Sequence, residues 1–105
     1  PYARIVRDNN QNIKKIVEEI DASDSELQIR ELFCSHYLFK SKVLTDYLTR
    51  LKKNSKTGEI YFTDILNELI KDKKKIGSFI ISDWKRLVGL NTKEDIEWVE
   101  SQKMI

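Results

Sequence analysis

The sequence predicts an α/β fold, on three observations. Short runs rich in β-branched and aromatic residues occupy the start and parts of the middle. Other stretches repeat apolar residues every three to four positions, the period of a helix with one buried face. Polar turn and capping residues separate the two kinds of segment, while only three Gly and one Pro occur in 105 residues, too few for a linker or low-complexity chain.

Tyr2 to Arg7 reads as a strand. Asp8-Asn9-Asn10-Gln11 is a polar turn, and Asn12 to Glu18 reads as a second strand, so the two make a β-hairpin. Ser23 with Glu26 fits a capping box and predicts a short helical turn. Glu31 to Phe39 is a short, mostly apolar run, as in a strand buried on both faces. Ser41 is placed to cap a helix whose apolar positions are Val43, Leu44, Tyr47, Leu48 and Leu51. Lys52 to Gly58 is a polar loop. Phe62, Ile65, Leu66, Leu69 and Ile70 then define a strongly amphipathic helix with a charged exit. Lys75 to Ser82 reads as a strand through Ile76, Phe79, Ile80 and Ile81. Asn91, with Glu94 three residues on, predicts the start of a last helix with Ile96 and Val99 on one face. The expected order is ββ, β, α, α, β, α, a mixed sheet with about three helices. A doubly buried strand needs two neighbours, so part of the sheet is expected to lie outside these residues.

A chain of this size buries one modest core, worth about 5–15 kcal/mol of net stability. No run of about 18 apolar residues is present, so no membrane span is predicted. The formal net charge of +2 is too small to indicate nucleic acid as a partner. The single cysteine, Cys34, has no internal disulfide partner, which points to a reducing compartment, and a cytoplasmic location is expected. The opening Pro1-Tyr2-Ala3-Arg4 has neither Met nor a signal peptide and is expected to lie inside a longer chain.

Five segments, in order and with matching spacing, resemble one family. They are Tyr2-Ala3-Arg4-Ile5-Val6-Arg7, Ile16-Val17-Glu18-Glu19-Ile20-Asp21-Ala22-Ser23, Gln28-Ile29-Arg30-Glu31-Leu32, Thr57-Gly58-Glu59-Ile60-Tyr61-Phe62-Thr63-Asp64 and Val88-Gly89-Leu90-Asn91. Together they resemble the later half of the N-acetylglucosamine-1-phosphate uridyltransferase domain (UDP-N-acetylglucosamine pyrophosphorylase). In many bacteria that domain is fused to a left-handed β-helix acetyltransferase. The resemblance implies a fragment of the Rossmann-like nucleotide-diphospho-sugar transferase fold. Residues 1–105 would be its sugar-binding half, with the nucleotide-binding half absent. In the family, a phosphate oxygen of N-acetylglucosamine 1-phosphate attacks the α-phosphorus of UTP and pyrophosphate leaves. Mg²⁺ offsets the phosphate charge, and positioning with electrostatic stabilisation supplies the catalysis.

Carried over by position, Glu18 accepts hydrogen bonds from sugar hydroxyls, a role suited to an acceptor-only carboxylate. Tyr61 and Thr63 match the family's sugar-contacting pair, and in an extended segment both would point one way. The simpler alternatives are a packing aromatic at Tyr61, a helix cap at Thr63 and an exposed carboxylate at Glu18. Asn91 matches the metal-binding Asn, with helix capping as its alternative. Its carboxylate partner belongs to the earlier half of the domain, so no Mg²⁺ is expected bound here. Ala3 stands where the family has a Gly whose N–H meets the ligand, and its Cβ crowds that approach.

The chain departs from the family at Phe33-Cys34-Ser35, where Asn-Thr-Gly is usual. Phe33 cannot make the hydrogen bond that Asn makes to the sugar. The phosphate-binding Gly-rich loop, its basic residues and the metal-binding Asp have no counterpart in these residues, and no G-x-G-x-x-G or P-loop is present. The isolated chain is therefore expected to be inactive. Its partners would be UDP-N-acetylglucosamine or N-acetylglucosamine 1-phosphate, and either a second copy or a separately encoded nucleotide-binding half. The other reading is a non-catalytic remnant serving as an interaction or dimerisation module. Cys34 and His36, two apart on a predicted strand, lack the third group a nucleophilic pair needs. The Lys71, Lys73, Lys74, Lys75 run reads as a solvated helix end.

Overall fold

A computed structural model describes residues 2–103. The hairpin forms as the sequence predicts. Strand β1 (Ala3–Arg7) runs antiparallel to β2 (Ile13–Val17), with Arg4 opposite Val17 and Ile5 opposite Ile16. The register shifts between Val6 and Arg7 as the chain enters the turn. Asp8 builds that turn: its Oδ1 accepts from the amides of Asn10 and Asn12 at 2.8 and 3.0 Å. Gln11 takes the left-handed conformation that closes it.

A short helix, α1 (Asp24–Leu27), begins at the predicted capping box. The Ser23 hydroxyl accepts from the Glu26 amide, and the Glu26 carboxylate accepts from the Ser23 amide at 2.9 Å. Glu26 also pairs with Lys15 of β2 at 2.7 Å, tying α1 to the sheet.

The third strand is much shorter than predicted. Only Leu32–Phe33 forms β3, antiparallel to β1, giving the order β2-β1-β3. The reason is local. Ser35 adopts φ 61°, which turns the chain out of the sheet, and Leu38 ends fully exposed rather than doubly buried. The predicted strand over Lys75–Ser82 also fails to form: these residues pair with no strand, and Phe79 and Ile80 are 91% and 70% exposed. Apolar composition alone does not make a strand without a neighbouring edge. The α/β class stands, with a sheet antiparallel throughout rather than mixed.

Helix α2 (Ser41–Leu48) starts with Lys40 at the cap, Ser41 being its first residue. Helix α3 (Asp64–Lys71) lays Ile65, Leu66 and Leu69 into the core beneath the sheet. Ile65 is completely buried and packs with Ala3, Ile16 and Tyr47. The two helices are joined at Asp72, which accepts from the Tyr47 hydroxyl at 2.6 Å and pairs with Arg50. The Arg50 guanidinium also lies 4.1 Å from the Tyr47 ring centre. Asn67 of α3 reaches the outer edge of β2. Its Oδ1 accepts from the Ile16 amide and its Nδ2 donates to the Ile16 carbonyl, both at 2.8 Å. One side chain thus does what a neighbouring strand would do for that residue.

The last helix, α4 (Lys93–Ser101), starts one residue later than predicted. Thr92 is the cap and Asp95 its partner, in place of Asn91 and Glu94. Of the two apolar residues expected to face inward, Val99 is buried and Ile96 is 44% exposed. Among the described residues, no helix is long and apolar enough to cross a membrane.

Candidate functional site

A cleft of about 440 Å³ opens between the strands and the segment preceding α4. Ala3 of β1, Phe33 of β3, Glu18, Thr63 and Asn91 are among its lining. Five of the six residues singled out by sequence therefore share one concavity. Tyr61 is not in the lining.

Glu18 directly follows β2, in extended backbone at the start of a 3-10 turn over Glu19–Asp21. Its Oε1 accepts a 2.5 Å hydrogen bond from the Thr63 hydroxyl. Thr63 is buried at the start of α3, and its hydroxyl makes no cap bond because it is committed to Glu18. No other hydrogen bond to the Glu18 carboxylate occurs among the described residues. One oxygen is thus fixed and the other is open to a donor in the cleft.

The Tyr61–Thr63 segment is not extended. A small loop closed by pairing of Lys53 with Ile60 contains Gly58 at φ 73°. The chain then turns at once into α3. The Tyr61 hydroxyl donates to Thr57 within the same loop, at 3.2 Å. Helix geometry at Thr63 therefore breaks the same-side alignment expected of the pair.

Phe33 faces Ala3 across the sheet, and its ring meets Tyr37 edge-on at 5.1 Å. Tyr37 in turn packs on Phe39 and Phe62. Phe33 is one end of an aromatic cluster that also borders the cleft. Burial holds the Tyr37 phenol above its usual range, and the nearby Glu18 charge adds to that rise.

Cys34 and His36 also border the cleft, but in coil beyond β3. His36 Nδ1 lies 2.9 Å from the Cys34 carbonyl oxygen. A carbonyl only accepts, so Nδ1 carries the proton and donates to the main chain rather than serving the thiol. Lys71, the last residue of α3, and Lys73, Lys74 and Lys75 beyond it are exposed.

Asn91 keeps its side chain free of the helix cap. Its backbone amide and that of Thr92 both donate to Asp95 Oδ2 at 3.0 Å. These two amide bonds, that from Asn91 foremost, hold the Asp95 carboxyl below its usual range. The Asp95 carboxylate, one turn beyond Asn91, is therefore already engaged. The described residues contain no group of three or more His, Cys, Asp or Glu able to hold a metal. One amide and one partly committed carboxylate do not by themselves fit the octahedral oxygen cage of Mg²⁺.

Sequence reasoning gave no site role to Tyr2 or Arg86, which also line the cleft. Tyr2 lies inside the first motif, and its aromatic character reads equally well as strand propensity. Arg86 is brought in by the 3-10 turn Trp84–Leu87, which no periodicity announces.

The geometry is that of a small polar cleft on an open α/β sheet, with one anchored carboxylate and an unengaged amide. Comparison with known proteins identifies its relatives. The chain is 31% identical over 100 residues to bifunctional protein GlmU of Streptococcus uberis, covering 95% of this chain and 22% of that protein. It is 37% identical over 100 residues to bifunctional protein GlmU of Clostridium perfringens. It is 42% identical over 90 residues to bifunctional protein GlmU of Bifidobacterium longum, covering 86% of this chain and 19% of that protein. No family model matches. The chain is a GlmU-like fragment, spanning about a fifth of the length of the curated relatives it matches. Its three-stranded open sheet and four helices agree with a piece of a nucleotidyltransferase domain of that family.

Proposed function

We propose that the chain supplies the sugar side of an N-acetylglucosamine-1-phosphate uridyltransferase pocket. The reaction joins UTP and N-acetylglucosamine 1-phosphate. A phosphate oxygen of the sugar phosphate bonds to the α-phosphorus of UTP, the α–β bridge breaks, and pyrophosphate carries away the electron pair. The observation that carries this reading is the Glu18–Thr63 pair in the cleft. Thr63 fixes one carboxylate oxygen and the other accepts from a sugar hydroxyl. Asn91 donates or accepts through its amide, and the Ala3 backbone lies against the sugar. Tyr61, held by Thr57, joins the pocket only if its loop moves toward the ligand. Phe33 leaves one sugar group without the hydrogen bond that the family's Asn provides.

In this reading residues 1–105 form the later half of the domain, acting in the cytoplasm. The nucleotide-binding half comes from elsewhere. A pyrophosphate-release assay with UTP, Mg²⁺ and sugar phosphate is expected to give no turnover with this chain alone. Turnover is expected once a nucleotide-binding half is added. Turnover by the isolated chain overturns the assignment of halves, and none with the added half overturns the transferase reading.

A second reading, an interaction or dimerisation module, is favoured by the exposed Phe79 and Ile80 and by the short terminal strand β3. A clean monomer in sedimentation at high concentration counts against self-association.

A further inference from the structure

Residues 82–103 form an arm that is held chiefly to itself. Trp84 stacks on Trp98 with ring centres 5.7 Å apart, and Lys85 donates to Gln102 at 3.4 Å. Arg86 pairs with Asp83 at 2.9 Å. Among the described residues, one hydrogen bond joins this arm to residues 2–81: the Gly89 amide donates to the Tyr2 hydroxyl at 2.7 Å. No ion pair among the described residues crosses the same boundary. Buried Val99 supplies apolar contact without fixing direction.

The bond joins two parts of the cleft lining. Tyr2 immediately precedes Ala3 of β1, while Gly89 lies in the arm between Arg86 and Asn91, and all five residues line the cleft. We infer that Tyr2 is a positioning residue. Its hydroxyl latches the arm over the cleft and so sets where the Asn91 amide and Arg86 guanidinium stand relative to Glu18. The consequence for ligand binding rests on the sugar-phosphate reading above; the latch itself does not.

Because Tyr2 lines the cleft, the bond is best broken from both ends. Tyr2→Phe removes the acceptor. Gly89→Pro removes the donor and leaves the phenol in place. Val88 is already extended (φ −70°, ψ 125°), the conformation a following proline requires. Gly89→Ala is the control. It keeps the amide, and its Cβ would meet only ordinary contacts, 3.6 Å from the Tyr2 hydroxyl and 3.9 Å from the Asn91 side chain.

In Tyr2→Phe, the Gly89 amide is expected to exchange with deuterium roughly fivefold faster, the effect of losing one ordinary hydrogen bond. The Ile65 amide in the core keeps its protection. N-acetylglucosamine 1-phosphate is expected to bind both Tyr2→Phe and Gly89→Pro several-fold more weakly, and Gly89→Ala like the parent. Unchanged Gly89 exchange in Tyr2→Phe overturns the latch. Faster exchange with unchanged binding in both variants overturns its positioning role. If the parent itself does not bind the sugar phosphate while Gly89 exchange still accelerates, the latch stands and the transferase reading fails.

Discussion

Asn67 and Phe33 show how single side chains shape the cleft from outside its polar centre. Asn67 satisfies both main-chain groups of Ile16, one residue from Val17 and two from Glu18. Asn67→Ala leaves that amide and carbonyl without their partner in a partly buried place. The expected loss is about 1–3 kcal/mol of stability, measured by urea denaturation. Loosening of the Glu18–Thr63 bond should follow, since Thr63 and Asn67 belong to the same helix end. On the proposed sugar-side reading, Phe33 acts on the ligand side. Phe33→Asn, tested with the nucleotide-binding half present, is expected to raise affinity for N-acetylglucosamine 1-phosphate about tenfold, by restoring a hydrogen bond to the sugar. It also removes a ring from the Tyr37 cluster, so some loss of stability accompanies the gain. Unchanged affinity in a calorimetric titration would mean that Phe33 does not occupy the position of the family's Asn.

At the scale of elements, α1 is a single turn and depends on its ends. Glu26 serves both the capping box and the ion pair to Lys15. These contacts, Lys15 first and the Ser23 amide next, pull its carboxyl down to about 2 from an ordinary 4.5. A depressed folded-state value stabilises the native form above the unfolded value, and that contribution is lost as pH falls through the folded value. The tie between α1 and β2 should therefore hold at pH 5 and above and weaken as pH falls from about 4.5 to about 2. Following the Glu26 side chain by NMR titration checks this. Lys15→Met should move its midpoint back toward the ordinary range. The pair is partly exposed, so its worth in stability is modest and falls with salt.

For the whole molecule, the core is small and concentrated on α3. Among the described residues, Ile65 is the one large side chain that is fully buried, in a cluster with Ala3 and Ile16 of the sheet and Tyr47 of α2. Ile65→Ala should cost about 2–5 kcal/mol in urea denaturation. Against a total of only about 5–15 kcal/mol, that is a large share of the stability and lowers the unfolding midpoint accordingly. The cleft depends on the same packing, because Ala3 belongs both to this core and to the cleft lining.

The hairpin, the Ser23–Glu26 capping box and the apolar face of α3 were legible in the sequence because each depends on neighbours within a few residues. The family resemblance likewise singled out Ala3, Glu18, Phe33, Thr63 and Asn91, which the fold gathers into one cleft. Other features required distant parts of the chain to meet. Two apolar runs, Glu31–Phe39 and Lys75–Ser82, look like strands in isolation. A strand needs a partner edge, and among the described residues only Leu32–Phe33 finds one. Tyr61 parted from Thr63 because the chain turns into α3 there, and the helical backbone angles at Thr63 remove the same-side alignment of an extended segment. The Asn67 clamp joins positions 51 residues apart and the Tyr2 latch positions 87 apart. No local pattern encodes such bonds, since they exist only once sheet, helix and arm have packed against one another.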